Sequence, residues 1–436
     1  MVVSYRIHTH HFRLKATYYD YSSMPPEIDV AIIGAGPAGN HCARLLSQRG
    51  HKVVVLEKKP RAGTKQSCTG IIGAECFGLF PPGYLKTINQ FQSATFFSTS
   101  GMSLRVEKSR PQAYIVDRAV FDNQLAQSAQ EAGADYWFNC AVETIARSSG
   151  CLKIGVRLGS RRTFVEARTA VIAGGPSGYL TRTLGMGEVR DHATGCQTEV
   201  GSNTSGLEVY LGSATSPGFF GWLVPLSGGR ARLGLLTRGN NAGALMSNLW
   251  QTLKARGKVT SPMSGLHYGA IPLKPLSRTY AERTLVIGDA AGQVKPTTGG
   301  GIYYGLLCAA MAAERLHEAI VAEDYSAARM SHYQKDWHQK LQQELRISRL
   351  ARQVFQRLSD KQIDRIFDIV LTHGIHHELL EAEDFSFDWH GRLILKALGY
   401  RALKAPFGLL RRLAPNHGLE RAAIPVHTYD EGPHIP

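Results

Sequence analysis

The run Asp29-Val-Ala-Ile-Ile33, followed at once by Gly34-Ala-Gly36-Pro37-Ala38-Gly39, constrains this chain more than any other feature. A short run of β-branched and small apolar residues reads as a buried strand. A glycine turn follows, then a helix expected from Ala38 to Gln48 and closed by Arg49-Gly50. Lys52-Val-Val-Val-Leu-Glu57 reads as a second buried strand. Strand, helix and strand within about 30 residues form a βαβ unit, whose crossover should be right-handed. In a G-x-G-x-x-G turn, Gly34 permits the tight bend and Gly36 lets backbone approach a pyrophosphate. Gly39 lets the helix pack closely on the strand, and the helix N-terminus, opened by Pro37 and Ala38, faces the phosphates. Glu57, 23 residues after Gly34 and followed by Lys58, ends the second strand where a carboxylate accepts from a ribose diol. The plainer alternative is a structural glycine turn with a surface glutamate, and the flanking strands argue against it.

A second constellation lies far along the chain, in Gly288-Asp289-Ala-Ala-Gly292, Pro296 and Gly299-Gly300-Gly301-Ile302. Asp289 follows the buried run Thr284-Leu-Val-Ile-Gly288, at the carboxyl edge where open α/β sheets bind ligands. It is placed to accept from a ribityl hydroxyl. The three glycines open a helix expected to reach about Ala322, offering free N–H groups and the positive end of a dipole. An isoalloxazine ring there would find its N1/C2=O edge stabilised. Together the two motifs indicate non-covalent FAD on a discontinuous Rossmann-type fold. Arg118, in Val116-Asp-Arg118-x-x-Phe121-Asp122, starts a helix after a strand and is a third cofactor candidate; the alternative is a surface arginine at a helix start.

Between these motifs the chain turns β-rich. Residues 95–116 alternate, and Cys196 to Ala270 is rich in glycine, threonine, valine and aromatics, as in an antiparallel sheet. Within it, Phe220-Gly-Trp222-Leu-Val224-Pro225 places Phe220, Trp222 and Val224 on one strand face by period two. That face either lines a channel for a hydrophobic substrate beside the flavin or packs as ordinary core. Cys68, in Lys65-Gln-Ser-Cys68-Thr-Gly70, sits in a loop after the second strand. Its thiol is a candidate proton donor, although most lone cysteines are small buried hydrophobes.

Composition closes off other classes. The seven cysteines form no C-x-x-C pair, which argues for a reducing, cytoplasmic setting and against an iron–sulfur cluster. His373, His376 and His377 have no carboxylate or cysteine pattern around them, so no metal is assigned. There is no Walker motif and no nucleic-acid signature. Residues 1–27, rich in histidine and tyrosine, read as a loose extension without a signal peptide's apolar core. The net charge of +15 implies an anionic partner. Between Arg392 and Arg421 seven basic residues face one acid, Glu420, with leucines interleaved. This suits an amphipathic helix on an anionic membrane surface, or equally a helix packed on the body with its arginines solvated.

With these residues in view, the chain resembles the geranylgeranyl reductase family of flavoproteins, within the p-hydroxybenzoate hydroxylase-like superfamily. The resemblance runs from about Asp29 to Phe367 and rests on both glycine motifs with Glu57, the Cys68-Thr-Gly70 loop, Arg118 and the Phe220-x-Trp222-x-Val224-Pro225 strand. Two departures stand out: glycine replaces the superfamily's Asp in Ala173-Gly174-Gly175-Pro-Ser177, and the aromatic motif ends Val224-Pro225 rather than Phe-Pro. The first weakens a claim of tight NADPH use and leaves NADPH and ferredoxin both open as electron donor.

The resemblance implies reduction of C=C bonds in a polyprenyl chain on a lipid or isoprenoid substrate. A flavin monooxygenase or halogenase, or a flavin electron-transfer protein linked to membrane quinone, remain the alternatives. The expected organisation is α/β: an FAD-binding domain from 28–76, 113–181 and 281–322, a β-rich substrate domain from 77–112 and 182–280, and a helical C-terminal region, 323–436, ending in the basic amphipathic tail.

Overall fold

The computed structural model describes residues 28–64, 67–381 and 386–399. The N-terminal extension and most of the basic tail, 400–421, lie outside the described residues. An eight-stranded sheet carries both glycine motifs. Its core order is Thr284–Val286, Arg161–Ile172, Ile28–Ile33, Val53–Leu56 and Asp135–Trp137, all parallel. The parallel register, Ile33 beside Leu56 and Ile172 beside Val286, brings these four strand ends to one edge. The expected first helix is Pro37–Ser47, and the helix after the triple glycine is Ile302–Val321.

Both faces of this sheet are covered, which is why its strands read as unbroken apolar runs. On one face Val30, Ile32, Val55 and Val171 pack under the helices through Leu46, Tyr304, Leu316, Tyr333 and Trp337. On the other, Ile33, Leu56 and Ile172 meet an antiparallel hairpin, Cys140–Ser148 and Cys151–Leu158, through Ile154 and Val156.

The second sheet has seven strands, all neighbours antiparallel except the Ser93–Phe97 to Leu207–Leu211 pair. The β-rich reading of Cys196 to Ala270 holds with one exception, a helix at Ala242–Ala255. Ala242, Leu245, Met246, Leu249 and Leu253 are buried at helical spacing and cover the outer face of the sheet at Leu223, Leu233 and Leu235. A separate three-stranded sheet pairs Ala113–Val116 with both Ile71–Gly73 and Thr87–Phe91. Thr87–Phe91 pairs with Ala113–Val116, and Phe91 packs in one cluster with Ile115, Leu207 and Val224.

Candidate active site

The glycine turn is built as the spacing requires. Gly34 has φ 107°, and a side chain there would strike the Ala173 carbonyl; a Cβ on Gly39 would strike the carbonyl of Gly34. Gly36, by contrast, faces open space at the N-cap of Pro37–Ser47. The turn is thus tight on its protein side and bare on the other, where backbone N–H groups are free to meet an anion. Glu57 accepts from the Ala35 amide at 2.7 Å and the Lys59 amide at 2.9 Å. Its carboxylate therefore braces the glycine loop from beneath as well as facing the cavity.

Asp289 stands opposite, in the turn after Thr284–Val286. Among the described residues its carboxylate has no hydrogen-bond partner, and a Cβ on Gly301 would lie 2.7 Å from its Oδ1. Burial pushes its carboxyl above the ordinary range, against the pull of Arg118. A desolvated carboxylate without a partner is costly unless hydroxyls reach it, and a ribityl chain supplies hydroxyls. The residues present therefore fit FAD. Gly288 and Gly305 bring Ala38 into contact across the helices, with a Cβ on either lying 3.3 and 3.4 Å from the Ala38 methyl.

Arg118 reaches the same cavity from Arg118–Glu131. Nε and Nη2 donate to the two Asp122 oxygens, each at 2.8 Å, and Asp122 is fully buried. Burial opposes the guanidinium's charge, but Asp122 and the Cys68 sulfur raise its pKa above the ordinary value. Cys68 itself accepts from the Gly70 amide at 3.4 Å. Its loop is pinned to the second sheet, since Arg232 Nη1 donates to the Thr69 carbonyl at 2.6 Å. Gly70, at φ 77°, packs on the Val116 carbonyl where any Cβ would collide.

All of these surfaces line one cavity of about 1050 Å³. Gly34, Gly36, Pro37, Ala38, Glu57, Lys58, Arg118, Gly288, Asp289 and Gly299 to Ile302 line one part of it, with Cys68 beside them. Gly39 does not, because its work is packing. Phe220, Trp222 and Val224 line the same space, whereas Pro225 falls outside the lining. Pro225 is buried, and its carbonyl accepts from Asn89 Nδ2 at 3.3 Å. The indole of Trp222 covers Gly234 on the neighbouring strand, where a Cβ would collide with the ring. Its Nε1 is buried without a partner, and the Phe220 ring centroid is 5.9 Å away.

Sequence reading passed over one buried cluster. Lys295, just before Pro296, donates to Asp388 Oδ1 at 2.8 Å and to the Phe387 carbonyl at 3.2 Å, with both charged side chains 3% exposed. His390 contacts the Thr297 hydroxyl at 2.6 Å, and Tyr304 donates to the Asp388 carbonyl at 3.0 Å. Residues 386–390 thus seat a C-terminal segment against the Gly299–Gly301 loop. Local patterning carries no trace of a contact spanning some 90 residues.

Comparison with known proteins places this geometry. A family model described as FAD dependent oxidoreductase matches residues 29–95, which hold the first glycine turn, Glu57 and Cys68. Digeranylgeranylglycerophospholipid reductase 2 of Methanothermobacter thermautotrophicus is 30% identical over 352 residues, spanning 78% of this chain and 90% of the relative. The chain belongs to the geranylgeranyl reductase family. A digeranylgeranylglycerophospholipid reductase of Methanocaldococcus jannaschii is 28% identical over 351 residues, covering 78% of this chain and 89% of that protein. The crystal structure of a geranylgeranyl bacteriochlorophyll reductase-like protein from Thermoplasma acidophilum shares the fold. Its TM-score is 0.77 at 22% identity, over 88% of this chain and 99% of that one. A flavin-dependent brominase is less similar, with a TM-score of 0.63 at 17% identity over 89% and 99%. This geranylgeranyl-type reductase is accordingly an FAD-dependent oxidoreductase. Among its described residues no helix is long and apolar enough to cross a membrane.

Proposed function

We propose that this geranylgeranyl-type reductase saturates C=C bonds of a polyprenyl chain carried on a lipid or isoprenoid substrate. The observation that carries the reading is the single cavity, which joins the two glycine motifs to the Phe220 and Trp222 face. Its volume exceeds the range of about 300–1,000 Å³ usual for a small-molecule site. A cofactor and a long apolar chain together need such room.

In this reading segments 28–76, 113–181 and 281–322 hold FAD, while 77–112 and 182–280 form the substrate side. Gly34 to Gly39 seat the pyrophosphate, Glu57 the adenosine ribose and Asp289 the ribityl chain. The Gly299 to Ile302 turn meets the ring edge. When bound and reduced, FAD supplies the hydride. Phe220, Trp222 and Val224 align the prenyl chain and keep water out. An unactivated alkene resists hydride attack alone, so a proton must arrive at the other carbon in concert. Cys68 is the donor: its thiol faces the cavity, and it regains the proton from solvent after turnover. Arg118, fixed by Asp122, orients the sulfur.

Anaerobic incubation of dithionite-reduced protein with prenyl lipids, followed by mass spectrometry, tests this. A gain of one H₂ per saturated bond is expected. Oxygen-dependent hydroxylated or halogenated products would overturn the reading.

The substrate is insoluble, so the enzyme must meet it at a bilayer. The helix Gly391–Gly399 starts the basic segment, with Leu393, Ile394 and Leu395 half-buried and Arg392 and Lys396 exposed. Each basic residue near an acidic surface adds up to about 1 kcal/mol, screened by salt over roughly 8–10 Å. Liposome flotation of the full chain against a chain ending before Arg392 decides the matter. Equal flotation of both with acidic liposomes would refute a membrane role for the segment.

A further inference from the structure

Arg352 lies near the end of the long helix Ala327–Phe355 and is 6% exposed, yet it lines the cavity. Its Nη2 donates to the Gly218 carbonyl, and its guanidinium stacks on the Phe219 ring at 3.6 Å from the centroid. Nε is buried with no partner. Among the described residues no carboxylate pairs with it, whereas Lys295, buried to a similar degree, holds Asp388. One turn further on, the Gln356 Nε2 is also buried without a partner, and Gln356 packs against the same Gly218. Arg238, itself paired with Asp191, stands nearby; burial first, and this charge second, depress the Arg352 guanidinium to about 9. A desolvated guanidinium without an anion is expensive, and its planar fork matches phosphate oxygens.

We infer that Arg352 binds the anionic phosphate or pyrophosphate head of the prenyl substrate, selecting headed lipids over neutral prenyl alcohols. The inference rests on the reading above and deepens it by naming the substrate's charged end. Phe219 continues directly into Phe220, whose ring neighbours Trp222. A head held at Arg352 therefore leads its chain along the aromatic face that lines the cavity. The contact would be charge-assisted, a class of hydrogen bond roughly twice as strong as a neutral one. The competing role is a buttress, in which Arg352 only supports the Gly218-Phe219 turn.

The test compares geranylgeranyl pyrophosphate, a prenyl ether with a phosphodiester head, and geranylgeraniol as substrates of the reduced holoenzyme. The wild type is expected to favour the headed substrates. In Arg352→Gln the ratio of kcat/KM for headed over neutral substrate should fall about tenfold or more, as loss of a charged hydrogen bond implies. Arg352→Lys should restore much of that ratio, because it keeps the charge. An unchanged ratio, or equal losses on headed and neutral substrates, would overturn the assignment in favour of the buttress. Inhibition by inorganic pyrophosphate in a wild type that shows no preference for headed prenyl chains would also overturn it, by making the ligand a free phosphate. Should Arg352→Gln fail to fold, calorimetric binding of geranylgeranyl pyrophosphate against geranylgeraniol to wild type and Arg352→Lys decides the point, equal affinity refuting it. If the wild type reduces no prenyl compound, the reductase reading fails, and those same binding measurements still judge Arg352 on its own.

Discussion

Asp289 and Glu57 are both carboxylates facing one cavity, but their surroundings give them different work. Asp289 has no hydrogen-bond partner among the described residues and carries the penalty of burial. Asp289→Ala should therefore leave the melting temperature of the FAD-free protein unchanged or raised. Its FAD affinity should fall by roughly ten- to hundredfold, as expected for about 1.5–3 kcal/mol of charged hydrogen bonding. Glu57 already satisfies two backbone amides, of Ala35 and Lys59. In Glu57→Gln the side chain has a single acceptor oxygen, so one buried amide is stranded at about 1–3 kcal/mol. That variant should melt earlier even without FAD. Melting curves with and without FAD, alongside flavin titration, separate the two, and equal behaviour would refute the division of roles. Trp222 makes a comparable case. Its indole occupies the space that Gly234 leaves empty. Gly234→Ala should push the ring into the cavity and lower prenyl turnover by about tenfold or more, since small misplacements near the reacting centre are costly. Bound FAD should persist, measured by its absorbance; loss of the flavin would mean the damage is to the fold.

At the scale of elements, the segment 386–391 acts as a clasp on the Gly299–Gly301 loop. Lys295 and Asp388 form a buried pair, and Asp388 Oδ2 also accepts from the Cys76 amide at 3.2 Å. Gly73 is the residue that leaves room for this carboxylate, since a Cβ there would strike it. Glu344 then accepts from the His390 and Gly391 amides, both at 2.8 Å. Removing one partner of a buried pair leaves an uncompensated charge worth about 3–5 kcal/mol. Lys295→Met should lower thermal stability by that order, and Lys295→Met with Asp388→Leu should recover part of it. A double variant no better than the single would show that the clasp is held by its backbone contacts instead.

For the whole molecule, His41, buried, and His390, half-buried, contribute to how stability follows pH. Burial, with Arg44 second, lowers His41 to about 3; burial, with Lys295 second, lowers His390 to about 4. Unfolding restores an ordinary value near 6.5. Between about pH 4 and 6.5 the unfolded chain thus binds protons that the folded chain does not, so stability rises with pH. The slope is on the order of 1.4 kcal/mol per pH unit for each group. Above pH 6.5 this contribution should be flat. Thermal melts across that range check it, and His41→Phe should reduce the slope by about 1.4 kcal/mol per pH unit; no change in slope would exclude His41 as a source.

Local sequence determined the nucleotide half almost completely. The turn at Gly34 to Gly39, the strands beside it, Asp289 and the helix after Gly301 are all specified by short-range patterns. Each demands a backbone conformation or close contact that few residues permit. The aromatic face at Phe220 and Trp222 was equally legible, because period-two alternation fixes which side chains share a side. Tertiary structure decided the rest. The helix Ala242–Ala255 lies inside a β-rich stretch, and the buried positions Leu245, Leu249 and Leu253 mark it only by their helical spacing. Pro225 falls outside the cavity because strand alternation turns it away from the face shared by Phe220, Trp222 and Val224. Lys295 found Asp388, and Arg352 reached the cavity beside Phe219, only when distant helices folded back over the sheets. A single charged residue in a helix reads as solvated; what it touches depends on where the remainder of the chain comes to rest, and no local period encodes that.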